Sequence, residues 1–254
     1  MSEVLLSLQL IELDKMSLHE EHEPSRLERV SQSMREDGFL RHPILATEMR
    51  DGRYLVLDGA HRIGALRLLG YCKVPVQVAR QDDFSIEAWH HLVPADAGVQ
   101  QLFEDPSLHW TAGSGAAAQR QGWLEIVDEH GNVRALDCGV CHDFLEAWHK
   151  VVSAYNARGA VKRVPARTCL LPDSGMLLIR FKPLSYAELE RVMEAGRVLP
   201  AGVTRFQING RLLNLKIPLH LLHRDSDVSE WERLRHVWRR SLRLYTEQVY
   251  LCEI

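Results

Sequence analysis

Asp58, Gly59, Ala60, His61 and Arg62 sit at a change of pattern in the chain. Before them runs an apolar stretch of strand character, residues 54–57. After them Ile63, Leu66 and Leu69, with Ala65 alongside, recur at helical spacing until Gly70. A glycine at a strand-to-helix junction lets the backbone come close to a ligand. The helix start that follows offers N–H groups and a partial positive charge, to which Arg62 adds a full one. This chemistry suits phosphate, with Arg62 forking onto its oxygens and His61 donating beside it. Asp58 ends the strand where α/β proteins hold catalytic and metal-binding acids. The plain alternative is a turn that anchors a helix and does nothing else.

Two other stretches are unusually polar for their positions. Residues 18–23, "LHEEHE", crowd His19, Glu20, Glu21, His22 and Glu23 together. They read as a solvated loop, since charge runs are usually exposed. They read less well as a metal site, because adjacent ligands rarely reach one ion together. The third reading is a single glutamate acting as general base. Residues 202–207, "GVTRFQ", place Thr204 and Arg205 side by side.

The elements that must position these residues follow from local pattern. Residues 8–13 alternate as a strand, Pro24 suits a first helical position, and Leu27, Val30 and Met34 mark one face of a helix ending at Gly38. Residues 43–48 and 53–57 form strands around an Asp51-Gly52 turn, and "KVPVQVA" is a further strand. Residues 1 to about 80 thus make a small α/β unit. From Asp82 to Gly122 the pattern weakens, and "TAGSGAAAQRQG" reads as a flexible connection or lid. A hairpin turning at Gly131-Asn132, a helix through "FLEAWHKVVSAYNA" and a buried-type strand at 176–182 come next. Ser185 with Glu188 opens a helix by a capping box, and Gly196 closes it. An Asn209-Gly210 turn, an amphipathic helix at about 227–244 and a last strand, "EQVYLCEI", complete the chain.

Composition bounds the function. The chain has 254 residues, 46% hydrophobic and 26% charged, with a net charge of −3, as in an ordinary globular protein with no overall electrostatic case for nucleic acid. No apolar run approaches the roughly 18 residues that span a bilayer, and "MSEVLLSLQLIELDK" lacks the basic start of a signal peptide, so the cytoplasm is expected. Five scattered cysteines argue against a disulfide framework, and Cys72, Cys169 and Cys252, set among apolar residues, are expected to be buried thiols. "CGVCH", with Cys138, Cys141 and His142, fits the c-type haem attachment pattern. Without an export signal it reads as a chance match, with zinc or redox use as the alternatives. "GSGAAA" at 113–118 satisfies G-x-G-x-x-A, but no strand precedes it, and no Walker A pattern is present.

At "DGAHR" the sequence resembles the ParB/sulfiredoxin superfamily, whose members set a G-x-[HR]-R turn against nucleotide phosphates. Sulfiredoxins carry a nucleophilic cysteine where this chain has Ala60, which excludes their chemistry. ParB partition proteins follow the turn with a helix-turn-helix domain, and no such domain is evident. The whole chain is more similar to the free L-serine kinases of the superfamily, in the subset encoded with staphyloferrin B-type siderophore genes. "IELDKMSLHE" resembles the segment with their catalytic glutamate, which falls on Glu20. "YLVLDGAHR" resembles their phosphate-binding D-G-H-H-R, with Ala60 replacing one histidine. "EAWHHLVP" places Trp89 near the serine site, and "MLLIRFKPLSYAELERVMEAGRVLPAGVTRF" resembles a C-terminal lobe whose T-R pair closes over substrate.

The resemblance implies an α/β (α+β) fold. A ParB/sulfiredoxin-like nucleotide-binding unit would span residues 1–93, and a C-terminal α/β lobe at 94–254 would complete the serine site and close the active-site cleft. It implies transfer of the γ-phosphoryl of ATP, or a phosphoryl of ADP, to free L-serine, with O-phospho-L-serine serving as precursor of 2,3-diaminopropionate. Such transfer needs a positioned hydroxyl, a base, Mg²⁺ and cationic clamps. Glu20 would take the serine proton, and Asp58 would hold Mg²⁺ or assist the base. Gly59, Ala60, His61 and Arg62 would cradle the phosphates. Thr204 and Arg205 would bind the serine carboxylate or the transferring phosphoryl, Trp89 would wall the pocket, and His19 would partner Glu20 or donate to phosphate. The alternative is a nucleotide- or haem-responsive, ParB-like DNA-binding regulator of iron-uptake genes.

Overall fold

The computed structural model describes residues 3–21, 24–113, 122–137, 143–156, 161–167 and 171–245. In chain order the first elements are β1 (Leu8–Glu12), β2 (Met16–Ser17), α1 (Pro24–Asp37), β3 (Phe39–Leu40), β4 (Ile44–Glu48), β5 (Tyr54–Asp58), α2 (Ala60–Leu68) and β6 (Lys73–Val78). The middle of the chain supplies β7 (Phe84–Pro94), α3 (Ala97–Leu102), β8 (Trp110–Gly113), β9 (Gly122–Val127), β10 (Val133–Asp137), α4 (Phe144–Asn156), β11 (Lys162–Pro165), β12 (Met176–Phe181), α5 (Tyr186–Glu194) and β13 (Thr204–Ile208). The last are β14 (Ile217–Pro218) and α6 (Val228–Ser241). The chain divides into two compact units, one of residues 1–18, 22–84 and 208–254, the other of 19–21 and 85–207. The division expected at 93/94 falls inside β7, and the C-terminal segment packs with the first unit, not with the second.

The first unit is built on a five-stranded sheet in the order β1-β6-β4-β5-β2. β4 and β5 form the expected antiparallel hairpin, its turn closed at Gly52 with φ 77 and by Asp51 Oδ1 accepting the Arg53 N–H at 2.9 Å. A register shift between Leu45 and Ala46 brings Asp58 opposite Leu45 at the strand end. Ile44, Val56, Ile63, Leu66 and Val76 make the core, together with Leu212, Ile217, Leu222, Trp231 and Trp238 from the C-terminal segment. Leu219 and Leu221 of the same segment are core as well, and the Trp238 indole N–H donates to the Leu215 carbonyl at 2.9 Å.

The second unit is a seven-stranded sheet in the order β11-β7-β12-β9-β10-β8, with β13 also on β7. One face carries the main core, where Trp148, Val151 and Tyr155 of α4 and Leu189 of α5 meet Leu124, Ile179 and Phe181. The capping box at α5 forms as expected: the Ser185 hydroxyl oxygen accepts the Glu188 N–H, and Glu188 accepts the Ser185 N–H at 2.7 Å.

Three expectations are overturned among the described residues, the first being that no strand precedes "GSGAAA": β8 (Trp110–Gly113) runs straight into it. The region read as weakly patterned contains β7, an eleven-residue strand. Its consecutive buried pairs, Glu87 with Ala88 and His90 with His91, break the alternation that reveals a strand. Cys72 is exposed, not a buried thiol. Its backbone is bonded on both sides, the N–H to Leu222 and the C=O from Leu13 at 2.8 Å, so main-chain pairing places the residue and its apolar neighbours do not. Cys169, Cys252, "CGVCH", most of "GSGAAA" (114–118) and all of the last strand, "EQVYLCEI", lie outside the described residues, as do His22 and Glu23.

Candidate active site

In the second unit the 19–21 segment is pinned by main-chain bonds. Leu199 N–H donates to the His19 carbonyl at 2.7 Å, and Glu21 N–H donates to the Leu199 carbonyl at 2.9 Å. This strand-like clamp turns Glu20 onto the turn before β13. Glu20 Oε2 accepts the Gly202 N–H at 2.7 Å, and Oε1 accepts the Thr204 N–H at 2.6 Å and the Thr204 hydroxyl. His19 Nε2 lies 2.9 Å from Thr204 Oγ1. Because that hydroxyl gives its one proton to Glu20, His19 must donate Nε2–H to it. The His19 ring also meets Phe206 edge-on at 5.1 Å. His19 is buried and only 13% of the Glu20 side chain is exposed, whereas Glu21 is largely exposed. The acidic run is therefore not one solvated loop.

Gly202 makes this arrangement possible. Its φ is 77, and a Cβ there would collide with the Arg163 guanidinium. The next strand residue, Arg205, lies over Trp89 with its guanidinium carbon 4.7 Å from the ring centroid. Its Nη1 is 3.2 Å from Glu87 Oε2, and Arg167 Nη2 approaches the other Glu87 oxygen at 2.8 Å. Trp89 and Glu87 stand two apart on β7 and so share a face. The structure thus brings Glu20, His19, Thr204, Trp89 and Arg205 into one unit, as a held carboxylate and a stacked guanidinium. Glu87 and Arg163 were not read from the sequence. The i, i+2 spacing of an acid and a tryptophan was the available signal, visible only once β7 is known to be a strand.

In the first unit β5 delivers Asp58 to the start of α2 through Gly59, whose φ is 109. A Cβ on Gly59 would lie 2.6 Å from Ile44 Cδ1. Glycine is required here, and it has no side chain with which to cap the helix that follows. Arg62 Nη2 donates to Asp58 Oδ2 at 2.7 Å, while its Nη1 donates to the His42 and Pro43 carbonyls at 2.9 and 2.7 Å. Arg211, which the sequence reading missed, donates to the same Asp58 oxygen. Burial pushes the Asp58 carboxyl up, but the Arg62 and Arg211 guanidiniums more than reverse this and hold it below the ordinary carboxylate value. Asp58 is therefore an anion at neutral pH, with both arginines on one of its oxygens.

Among the described residues no group of three or more His, Cys, Asp or Glu could hold a metal ion. The donor set nevertheless fits Mg²⁺ arriving on nucleotide phosphates, an ion that keeps waters and uses one or two carboxylates. Asp58 is a single ionised carboxylate with Oδ1 outside its arginine pairs.

Known proteins show what this combination belongs to. Residues 2–89, which contain the Asp58 turn, match the ParB N-terminal domain family. Over 253 residues the chain is 40% identical to ATP-dependent L-serine kinase SbnI of Staphylococcus aureus (strain NCTC 8325 / PS 47), covering 97% of each chain. It is 35% identical over 100 residues to an ATP-dependent L-serine kinase of Staphylothermus marinus, 38% of each chain. Among solved structures, SbnI with C-terminal truncation from Staphylococcus aureus superposes with a TM-score of 0.85 at 36% identity, over 95% of this chain and 99% of that one. A free serine kinase in complex with AMP shares the fold, with a TM-score of 0.72 at 21% identity over 85% and 93% of the two chains. The fold is thus mixed α/β with a ParB-like N-terminal part. The chain belongs to the ATP-dependent L-serine kinase family.

Proposed function

We propose that the protein is an L-serine kinase that moves the γ-phosphoryl of ATP to the hydroxyl of free L-serine, giving O-phospho-L-serine and ADP. What carries this reading is the extent of the kinship: the relative named as an ATP-dependent L-serine kinase aligns over 97% of both chains. The same fact favours ATP over ADP, and catalysis over the nucleotide- or haem-responsive regulator.

Phosphoryl transfer asks a protein mainly for positioning and charge stabilisation. Glu20 takes the proton of the serine hydroxyl, and the Gly202 and Thr204 donors keep its carboxylate aimed. His19 orients the Thr204 hydroxyl that shares Glu20 Oε1. Arg205, held flat against Trp89 and balanced by Glu87, is free to fork onto a carboxylate, which a free amino acid has and a peptide-bound serine lacks. In the first unit the N–H groups at the start of α2, with His61 and the Arg62 guanidinium, face phosphate charge, the arrangement helix starts use for anions. When bound, Mg²⁺ would neutralise developing phosphate charge, with Asp58 as the residue that holds it. The product is a precursor for 2,3-diaminopropionate, the use implied by the resemblance to the siderophore-associated subset. No helix among the described residues is long and apolar enough to cross a membrane.

The test is direct. Purified protein is incubated with L-serine, Mg²⁺ and either ATP or ADP, and O-phosphoserine is followed by phosphorus NMR. Product with ATP is the expected result. Product only with ADP would correct the donor, and no product with either would refute the reading.

A further inference from the structure

His91 plays no part in the chemistry above, yet it is the most fully buried polar side chain near the candidate base, at 1% exposure. It lies on β7, two residues beyond Trp89, and both its ring nitrogens are bonded within the second unit. Nε2 is 2.7 Å from the Gly202 carbonyl oxygen, and Nδ1 is 2.6 Å from the Tyr155 hydroxyl on α4. A carbonyl can only accept, so Nε2 carries a proton, and in the neutral ring Nδ1 is then the acceptor for the Tyr155 O–H. Tyr155 is itself buried, and burial raises its phenol far above the ordinary value, so it remains a donor.

The consequence lies at Gly202. Its carbonyl accepts from His91, and its N–H donates to Glu20 Oε2. These groups belong to the two peptide planes that flank one α-carbon, the one held at φ 77 against Arg163. With φ held there, holding the carbonyl restrains the swing of the preceding plane and so where its N–H points. We propose that His91 is a positioning residue for Glu20, acting through a continuous chain: Tyr155 hydroxyl to His91, His91 to the Gly202 carbonyl, and the Gly202 N–H to the Glu20 carboxylate. The proposal rests on the kinase reading for its catalytic consequence, but not for the geometry. Losing the His91 bond lets the 202–204 turn relax, and Glu20 loses the aim of its donors while nothing in the first unit changes.

Two readouts test this on the full-length protein. In steady-state kinetics, His91→Leu is expected to lower kcat about 10- to 100-fold, the effect of a small misplacement of a reacting group, with the KM for ATP within about twofold of wild type. His91→Gln, whose amide N–H reaches the Gly202 carbonyl, is expected to recover most of that loss. A residue that only stabilises the fold would lower the melting temperature and leave kcat intact below it, which would overturn the proposal. In amide hydrogen exchange, Gly202 and Thr204 are expected to exchange about tenfold faster or more in His91→Leu. Unchanged exchange would overturn it too. Should His91→Leu not fold, Tyr155→Phe removes only the far donor and is expected to lower kcat about threefold or more, with faster exchange at Gly202. A wild-type kcat with unchanged exchange in that variant would end the proposal. Wild-type protein that fails to phosphorylate serine refutes the kinase reading alone, and the exchange measurement still decides the role of His91.

Discussion

Glu20 and Arg205 carry the sharpest consequences for single side chains. Glu20→Gln keeps size and can still accept hydrogen bonds but removes basicity, so kcat should fall by about 10²–10⁴ while nucleotide affinity by calorimetry is unchanged. Full activity in that variant would move the role of base elsewhere, with Asp58 next to be tested. Arg205 is one-quarter exposed and balanced by Glu87. Arg205→Ala should raise the KM for serine and abolish the preference for free serine over serine amide, because a bidentate carboxylate partner is gone. A fall in kcat at constant KM would instead assign Arg205 to the transferring phosphoryl. The 18–23 run was legible as unusually polar, with a single glutamate as a possible base, and the resemblance picked out Glu20 with His19 as its partner. Their burial was not, since a charge run by itself reads as solvated and only the Leu199 clamp removes it from water.

At the scale of elements, the junction between β5 and α2 does two jobs. Arg62 ties the start of the helix to Asp58 and to the His42 and Pro43 carbonyls, so it is structural as well as a candidate phosphate contact. Gly59→Ala isolates the geometry from the charge. It places a Cβ 2.6 Å from Ile44 Cδ1 at a φ of 109. The expected outcome is a loss of about 1–3 kcal/mol in stability and at least about tenfold weaker nucleotide binding, as the helix start shifts. Nucleotide titration of the folded variant checks this, and unaltered affinity would make the turn a scaffold only. Here the sequence was informative, because a strand, a glycine and a helix start are contiguous. The three carbonyl and carboxylate partners of Arg62 were less so, since two of them come from the segment before β4.

For the molecule as a whole, the second unit carries its own acid sensitivity. Burial, with the Arg180 guanidinium alongside, lowers the His90 imidazole from its ordinary 6.5 to about 4. The unfolded chain takes up this proton as pH falls below 6.5, while the folded chain resists until about 4, so stability must fall across that window. The loss is on the order of 3 kcal/mol when complete, from 1.36 kcal/mol per unit of difference. Burial raises the Glu125 carboxyl, which acts in the opposite sense, so the measurement is a difference between proteins. Denaturant unfolding at pH 7 and pH 4.5 should show wild type losing more stability than His90→Phe. Equal losses would mean that His90 is not held neutral.

What the sequence by itself determined is what acts over a few residues. The Asp51-Gly52 turn, the Ser185 and Glu188 capping box, the glycine at the β5–α2 junction and the apolar faces of the helices all arise from neighbours one to four positions apart, where residue type and spacing dictate the bond. The tertiary structure alone decided the distant partners of the functional groups, beyond the local Asp58–Arg62 pair. Glu20 meets Thr204 across 184 positions, Asp58 meets Arg211 across 153, and His91 meets Gly202 across 111. No periodicity encodes those separations. They follow from which strands lie side by side, and strand order is set by burying both faces of a sheet at once, a condition on the whole chain and not on any stretch of it.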